Sequence, residues 1–270
     1  MAMEITNLSK ENFKRMFLEG KRFDGRKLTE FRNLEVSDLV SNKAEGSARI
    51  KLGKSEVVVG VKLAVGEPYN DSPDKGNLTV SADLLPLASP RFEHGPPDFQ
   101  AIELPRLVDR VIRGSEVIKL ENLCIKEGEK VWTVYIDIYP INDDGNLIDA
   151  ATIGAIVALK NAIVPELDEN NKPDYDKKSK KKLPLEEDII PLSFSFFKLG
   201  GSVVLDPTRE EEEACESRIT FGMSKWNKQY MINSCQKNGE IPLTPEEVKQ
   251  MMSIIPERYD EIIGKLKKYL

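Results

Sequence analysis

The clearest structural pattern in the sequence is VWTVYIDIYPINDDGNLIDAATIGAIVALKNAIV, residues 131–164. Residues 131–139 form an apolar, β-rich run, which predicts a buried strand. The turn at residues 142–146 follows, and small and apolar side chains then cover most of the circumference of a predicted helix over 147–164, which Pro165 ends. A buried strand that leads into a buried helix predicts that the helix packs against a sheet.

Strand patterns lie on both sides of this stretch. Alternation in residues 47–52 and a β-branched run over 56–65 flank a turn at Gly53-Lys54, and residues 78–84 alternate again. A second group of short strands is predicted at residues 192–199, 201–206, 218–222 and 230–233, before a helix that starts at Thr244 and is disturbed at Pro256. The pattern predicts the α+β class, with two βαβ-type halves that each have strands covered by a long helix.

The chain divides into four parts. Residues 1–30 are predicted as a helical docking arm whose helix is capped by Ser9. The two halves occupy 31–165 and 189–270. Between them, residues 166–188 form a mixed charge run that includes Lys177 and Lys178, and the flanking acids favour a solvated, exposed insert over an RNA contact.

The composition limits which types of binding or catalytic site the chain can form. The 39 Lys and Arg against 45 Asp and Glu give a net charge of −6, which excludes whole-surface attraction to nucleic acid but allows a local basic channel. Three cysteines without a CxxC pair argue against a disulfide framework or a zinc site, and His94 is the single histidine. Carboxylates and arginines must therefore carry any chemistry. No apolar run reaches the length of a membrane span, so we expect a cytoplasmic protein.

Three candidate sites stand out. Arg106, Arg110 and Arg113 lie on one face of a helix predicted over 104–113, with Pro105 in its first turn. From spacing alone, a solvated face partly neutralised by Asp109 is the favoured interpretation.

The acidic segment from Asp206 to Glu212 follows a strand and could present carboxylates to magnesium, but an ordinary acidic loop or helix start is the favoured interpretation. The turn containing Asp143 and Asp144 leads into a helix N-terminus, where backbone amides commonly hold phosphate. Two like charges about 4 Å apart repel by about 4 kcal/mol at an effective dielectric of about 20, so this turn is a poor anion cradle.

Several motifs in a fixed order give the chain a family resemblance. They are Arg22-x-Asp24-Gly25-Arg26-x-x-x-Glu30-x-Arg32, Gly46-Ser47-Ala48 followed by Leu52-Gly53-Lys54-Ser55, and Val131-Trp132-Thr133 leading to Asp149-Ala150-Ala151. Together they resemble the ribonuclease PH family and, within it, the non-catalytic ribonuclease PH-like subunits of the archaeal exosome.

The resemblance implies a ribosomal protein S5 domain 2-like half and a ribonuclease PH domain 2-like half. It also implies a heterodimer with a catalytic ribonuclease PH-like subunit, assembled as a ring of three heterodimers with RNA-binding cap subunits and single-stranded RNA in a central channel. Active members degrade RNA from the 3′ end by phosphorolysis. On this resemblance, Arg106, Arg110 and Arg113 become RNA-backbone contacts, with Arg110 and Arg113 the stronger.

The chain departs from active relatives at the chemistry. Those relatives carry two aspartates six residues apart, where this chain has Asp206 and Glu212, and their phosphate loop is replaced here by Asp143 and Asp144 followed by Gly145. We therefore expect degenerate active-site positions, no catalytic residue, no metal and no cofactor. Two alternatives stay open: an autonomous phosphorolytic 3′–5′ exoribonuclease that uses Asp206 and Glu212 for magnesium, and a purely structural scaffold.

Overall fold

A computed structural model describes residues 5–93, 95–169 and 171–270 of the chain. Up to residue 161, the chain forms helix α1 (Asn7–Leu18), strands β1 (Leu34–Asp38), β2 (Gly46–Leu52), β3 (Ser55–Gly66) and β4 (Asn77–Ala82), helix α2 (Phe99–Ser115), strands β5 (Cys124–Lys126) and β6 (Lys130–Asn142), and helix α3 (Leu147–Asn161). After residue 161, the chain forms β7 (Ile163–Leu167), β8 (Pro173–Lys182), β9 (Leu192–Leu199), β10 (Ser202–Leu205), α4 (Arg209–Ala214), β11 (Ser217–Trp226), β12 (Gln229–Gly239) and α5 (Pro245–Leu266).

Two sheets carry the fold, and they confirm the predicted α+β class. The first has the order β1-β2-β3-β6-β4, with β5 also paired to β6, and only the β4–β6 pair is parallel. Strand β4, helix α2 and strand β6 thus form one βαβ unit. The second sheet, β10-β9-β11-β12, is antiparallel throughout, so the βαβ connection occurs in the first half and not in the second.

Helix α3 lies in the centre of the molecule and contacts β2 and β3 of one sheet and β9 of the other. Every residue from Leu147 to Lys160 is buried. A Cβ on Gly154 would stand 2.7 Å from Val59 Cγ2, so the bare glycine lets helix and sheet approach closely. One continuous hydrophobic core consequently spans both sheets.

Helix α1 packs against the second sheet in a small core of its own. Phe13 and Phe17 are buried there with Phe197 and Leu199 of β9. Thr6, rather than the predicted Ser9, caps the helix, because its hydroxyl accepts a hydrogen bond from the Ser9 amide.

Prolines account for several differences between the predicted and observed elements. Helix α2 begins at Phe99 behind the cap Asp98, so Pro105 lies inside the helix instead of in its first turn. Helix α3 ends at Asn161, and Pro165 belongs to β7. Helix α5 continues through Pro256 to Leu266. Burial against the core holds these segments in place despite the missing amide donors.

The charged segment over 166–188 is partly a hairpin, whereas the sequence favoured a solvated loop. Strands β7 and β8 pair antiparallel, and the Tyr175 hydroxyl donates to the Leu63 carbonyl oxygen at 3.0 Å. Strand β1, which the sequence analysis did not predict, pairs with β2. His94 and the side chains of Lys177 and Lys178 lie outside the described part of the chain.

Candidate functional site

Asp206 is fully buried directly after β10, and its carboxylate is completely engaged by protein groups. Oδ2 accepts from the Arg32 amide at 2.8 Å, from Arg32 Nε at 2.9 Å and from Arg26 Nη1 at 3.1 Å. Oδ1 accepts from Arg32 Nη2 at 2.7 Å and from Asn146 Nδ2 at 2.8 Å. Five donors use the carboxylate, which leaves no lone pair directed at a metal ion.

Three arginines from the N-terminal motif contact the segment from Asp206 to Glu211, and we name Arg22, Arg26 and Arg32 the arginine clasp. The buried Arg22 guanidinium donates to the Glu211 carboxylate through Nε at 3.0 Å and through Nη2. It also donates to the backbone oxygens of residues 205 and 206, at 3.0 and 2.8 Å. The motif that carried the family resemblance therefore has a structural task, which is to join the arm to the segment after β10.

Arg32 of the clasp is strongly paired with the buried carboxylate of Asp206. Burial by itself would lower the pKa of the Arg32 guanidinium, but the hydrogen bonds and charge of Asp206 outweigh it and raise that pKa. Burial raises the pKa of Asp144, which lies 3.4 Å from Arg32 Nη1. The guanidinium also donates to the backbone oxygens of Asp144 and Gly145, at 2.7 and 3.0 Å.

The turn before α3 is packed and filled by the protein. Gly145 has a φ of +85°, and a Cβ there would stand 2.6 Å from the Arg209 amide nitrogen. Asp143 Oδ2 lies 2.8 Å from Arg91 Nε, out of line for a hydrogen bond, so this contact is an ion pair. Asp143 Oδ1 accepts from the Gly145 amide at 3.3 Å. Asp143 and Asp144 thus each have a cationic partner from the protein.

Glu212 occupies the N-terminus of α3. Its Oε2 accepts from the Asn146 amide at 2.7 Å, and Asn146, the N-cap residue, has a φ of 54°. Desolvation raises the pKa of Glu212, and the Asn146 hydrogen bond opposes that rise. Because the positive end of a helix dipole attracts an anion, the helix N-terminus stabilises this internal carboxylate.

Asn146 and Asp149 extend the network, and the sequence analysis assigned neither of them a role. Asn146 Nδ2 donates to Asp149 Oδ2 at 3.0 Å as well as to Asp206. Asp149 also accepts from the Ser193 hydroxyl at 2.8 Å and from the Ser195 hydroxyl at 2.9 Å. Burial raises the pKa of Asp149 to about 6, although these hydrogen bonds favour its charged form. The only sequence signal for either residue was its place in or beside a motif.

A cavity of about 260 Å³ lies beside Glu212, and the two arginines that line it are each paired with a carboxylate of the protein. Arg218 donates to Glu103 at 2.7 and 3.2 Å, and Arg91 is paired with Asp143. Among residues 5–93, 95–169 and 171–270, no group of three or more His, Cys, Asp or Glu side chains is arranged to hold a metal ion. The predicted site residues Asp143, Asp144, Asp206 and Glu212 are brought together, but in a closed network.

The three predicted RNA contacts lie together on α2. Arg106, Arg110 and Arg113 are all exposed and line a groove of about 620 Å³ between α2 and β12. Arg113 is held by Asp109, to which it donates at 2.7 and 3.1 Å, and this hydrogen bonding raises its pKa. Within the described part of the chain, Arg106 and Arg110 have neither a hydrogen-bond nor an ion-pair partner. These two guanidinium groups are therefore available to a ligand.

No helix in the described part of the chain is both long and apolar enough to cross a bilayer.

Comparison with known proteins gives consistent matches. The model of the 3′ exoribonuclease family, domain 1, matches residues 30–165, and the model of domain 2 of the same family matches residues 190–254. The exosome complex component Rrp42 of Methanocella arvoryzae is 44% identical over 249 residues, 92% of each chain. Rrp42 of Methanothermobacter thermautotrophicus is 39% identical over 265 residues, 98% of this chain and 96% of that one.

A solved structure of the Archaeoglobus fulgidus exosome with RNA bound to the active site contains a similar chain. Its TM-score is 0.87 at 39% sequence identity, and the match covers 96% of this chain and 98% of that one.

Proposed function

Because this chain belongs to the 3′ exoribonuclease family, the ribonuclease PH family, we propose that it is a non-catalytic exosome ring subunit that organises the catalytic subunit and guides single-stranded RNA towards it. One observation carries the non-catalytic part of this proposal. Asp206, the residue that stands at the first metal-binding aspartate of active relatives, has both carboxylate oxygens bonded to Arg26, Arg32 and Asn146.

Phosphorolysis needs an inorganic phosphate held beside a polyanionic RNA. Here the N-terminus of α3 is already occupied by the Glu212 carboxylate, and the turn before it carries Asp143 and Asp144. A phosphate dianion would have to displace one internal anion and approach two others. The autonomous phosphorolytic enzyme is therefore the less favoured function.

The groove between α2 and β12 supports the RNA part of the proposal. Arg106 and Arg110 stand one turn apart and can both form charge-assisted hydrogen bonds to successive phosphates. The charge of Arg113 is compensated by Asp109, so we revise the expected order and assign the stronger contacts to Arg106 and Arg110. Contacts to phosphate alone predict binding that does not depend on base sequence.

The remaining parts of the assignment follow the family resemblance. The partners are a catalytic ribonuclease PH-like subunit in a ring of three heterodimers, RNA-binding cap subunits and single-stranded RNA, in the cytoplasm. The proposed division is an arm (1–30), a first domain (31–165), an insert (166–188) and a second domain (189–270). The β7–β8 hairpin crosses the boundary between the first domain and the insert.

The first experiment measures nucleoside diphosphate release from a single-stranded RNA in phosphate and magnesium. The chain is assayed alone and after mixing with its catalytic partner. No release by the chain alone and robust release by the mixture are expected. Release by the chain alone that disappears in Glu212→Gln would overturn the non-catalytic assignment, because it would make Glu212 a working carboxylate.

The second experiment measures RNA binding by the assembled complex between about 50 and 200 mM salt, with phosphate omitted. Each phosphate contact to a single strand contributes about 0.7 to the log–log salt slope, so Arg106→Ala/Arg110→Ala should flatten the slope by about 1.4. The control Arg49→Ala/Lys51→Ala removes two charges from β2, where both side chains pair with Glu56, and should leave the slope unchanged. An equal slope in wild type and the α2 variant would favour the scaffold alternative.

A further inference from the structure

The wall of the groove opposite the arginines is built by β12. Residues two apart on a strand share a face, and Ser234, Gln236 and Asn238 alternate as half-buried positions with the exposed residues 235, 237 and 239. Asn238 Nδ2 donates to Glu103 of α2 at 3.1 Å. Towards the other end, a Cβ on Gly114 would stand 2.5 Å from the Asn233 carbonyl oxygen. Strand and helix therefore run side by side, and the groove lies between these two contacts.

Three polar side chains of β12 line the groove, and we name Asn233, Ser234 and Gln236 the β12 wall. Within the described part of the chain, neither the Ser234 hydroxyl nor the Gln236 amide has a hydrogen-bond partner. Asn233 Oδ1 accepts from the Ser224 hydroxyl at 3.1 Å, whereas its buried Nδ2 has no partner in the same residues. Ser234 and Gln236 are half-buried, so their donors and acceptors are open to a ligand in the groove, whereas the Asn233 Nδ2 atom is shielded from it.

The arginines of α2 and the polar side chains of the β12 wall are spaced at similar intervals along the groove but differ in chemistry. Arg106 and Arg110 are about 6 Å apart along the helix axis, and Ser234 and Gln236 are about 6.8 Å apart along the strand. One wall offers cations, and the other offers neutral groups that both donate and accept. A ribonucleic acid strand presents phosphates along one edge of its backbone and, at the same repeat, a 2′-hydroxyl that is both donor and acceptor.

We propose that the β12 wall hydrogen-bonds the ribose 2′-hydroxyls of the strand whose phosphates are bound by Arg106 and Arg110, so that this groove selects RNA over DNA. The inference rests on the proposed function, because it needs an RNA strand in the groove. A DNA strand keeps the phosphate contacts but has no 2′-hydroxyl to form hydrogen bonds with Ser234 and Gln236, so RNA binds more tightly by those hydrogen bonds.

The test compares a single-stranded RNA with the DNA strand of the same sequence, binding to the complex assembled with the catalytic subunit, in buffer without phosphate. Three variants of this chain are measured by fluorescence anisotropy: Ser234→Ala/Gln236→Ala, the control Cys235→Ala on the opposite face of β12, and Arg106→Ala/Arg110→Ala. One hydrogen bond corresponds to a factor of about 2 to 12 in affinity. The wall variant should therefore lose at least about threefold in RNA affinity, keep its DNA affinity and keep its salt slope.

Each outcome has a separate meaning. If the arginine variant weakens both nucleic acids but the wall variant leaves the RNA-to-DNA ratio at the wild-type value, ribose recognition is wrong and the proposed function stands. If the arginine variant changes neither affinity, the strand does not occupy the groove and both ideas fail. If the wall variant alters preference among RNA sequences without changing the RNA-to-DNA ratio, the wall contacts bases, and the 2′-hydroxyl proposal is overturned.

Discussion

Asp206→Asn should destabilise the protein strongly in the absence of any metal. The substitution keeps the shape of the side chain, and asparagine tolerates the left-handed backbone of this position, where φ is 50°. It removes the negative charge that faces Arg32 and replaces one acceptor oxygen with an NH₂ group. The effect therefore isolates the electrostatic task of the carboxylate.

The magnitude follows from the contacts. Oδ2 accepts three hydrogen bonds and Oδ1 accepts two, so an amide in either orientation leaves at least two donors without an acceptor. The guanidinium of Arg32 also loses its buried counterion. Breaking a buried ion pair by removing one partner costs about 3–5 kcal/mol, and we expect a loss in this range.

The assay is urea unfolding of the full chain in EDTA, followed by the fluorescence of the buried Trp132. Asp71→Asn, at an exposed carboxylate that accepts from the Ser72 hydroxyl, is the control and should change stability by less than about 0.5 kcal/mol. The double variant Arg32→Met/Asp206→Asn should lose less than the sum of the single variants, because neither charge is then left unpaired. A loss below about 1 kcal/mol for Asp206→Asn would refute this account of the clasp.

Three further predictions concern the same network. Asp149 has a pKa of about 6 against an ordinary value of 3.8, so the folded state binds the proton of this carboxyl group more tightly than the unfolded state does. The protonated group contributes about 3 kcal/mol to the free energy of unfolding. This contribution is present below pH 4 and is lost as the pH rises through 6. Urea unfolding should accordingly show the stability of wild type relative to Asp149→Asn falling between pH 4 and pH 7, and a constant difference would contradict it. Gly145→Ala should lower the free energy of unfolding by about 1–3 kcal/mol more than Gly128→Ala does. Both glycines have a positive φ, but only a Cβ at residue 145 would meet the backbone of another segment. Equal unfolding midpoints for the two variants would show that the turn before α3 can move to make room. Glu212→Asp should not give the isolated chain phosphate-dependent diphosphate release, because Asp206 remains bound; measurable release would mean that the clasp opens.

The strand and helix types were predictable where the pattern is long and periodic. Residues 131–139 and the small-residue helix after them lie where the pattern places them. Helix ends were missed at prolines, because Pro105 and Pro256 are accommodated inside helices that tertiary packing stabilises. Local sequence cannot report that packing.

The candidate site was predictable only in part. Asp206 and Arg32 are separated by 174 residues, and no local pattern pairs residues at such a distance. The Asp109–Arg113 pair, in contrast, has the i, i+4 spacing that a sequence shows directly. The role of Asn146 depends on a left-handed backbone conformation and on two distant carboxylates, so it required the structure.

The arginine clasp has a consequence for how the chain folds while it is being synthesised. Arg22 leaves the ribosome 189 residues before its partner Glu211, which corresponds to roughly 10–40 s at translation rates of about 5–20 residues per second. Throughout that interval Arg22 and Arg32 lack their partners Glu211 and Asp206 and remain charged in water, where they cost little and discourage aggregation. The beginning of the chain therefore reaches its final contacts only after β10 and α4 have been synthesised, when β11 and β12 of the second sheet are still to follow.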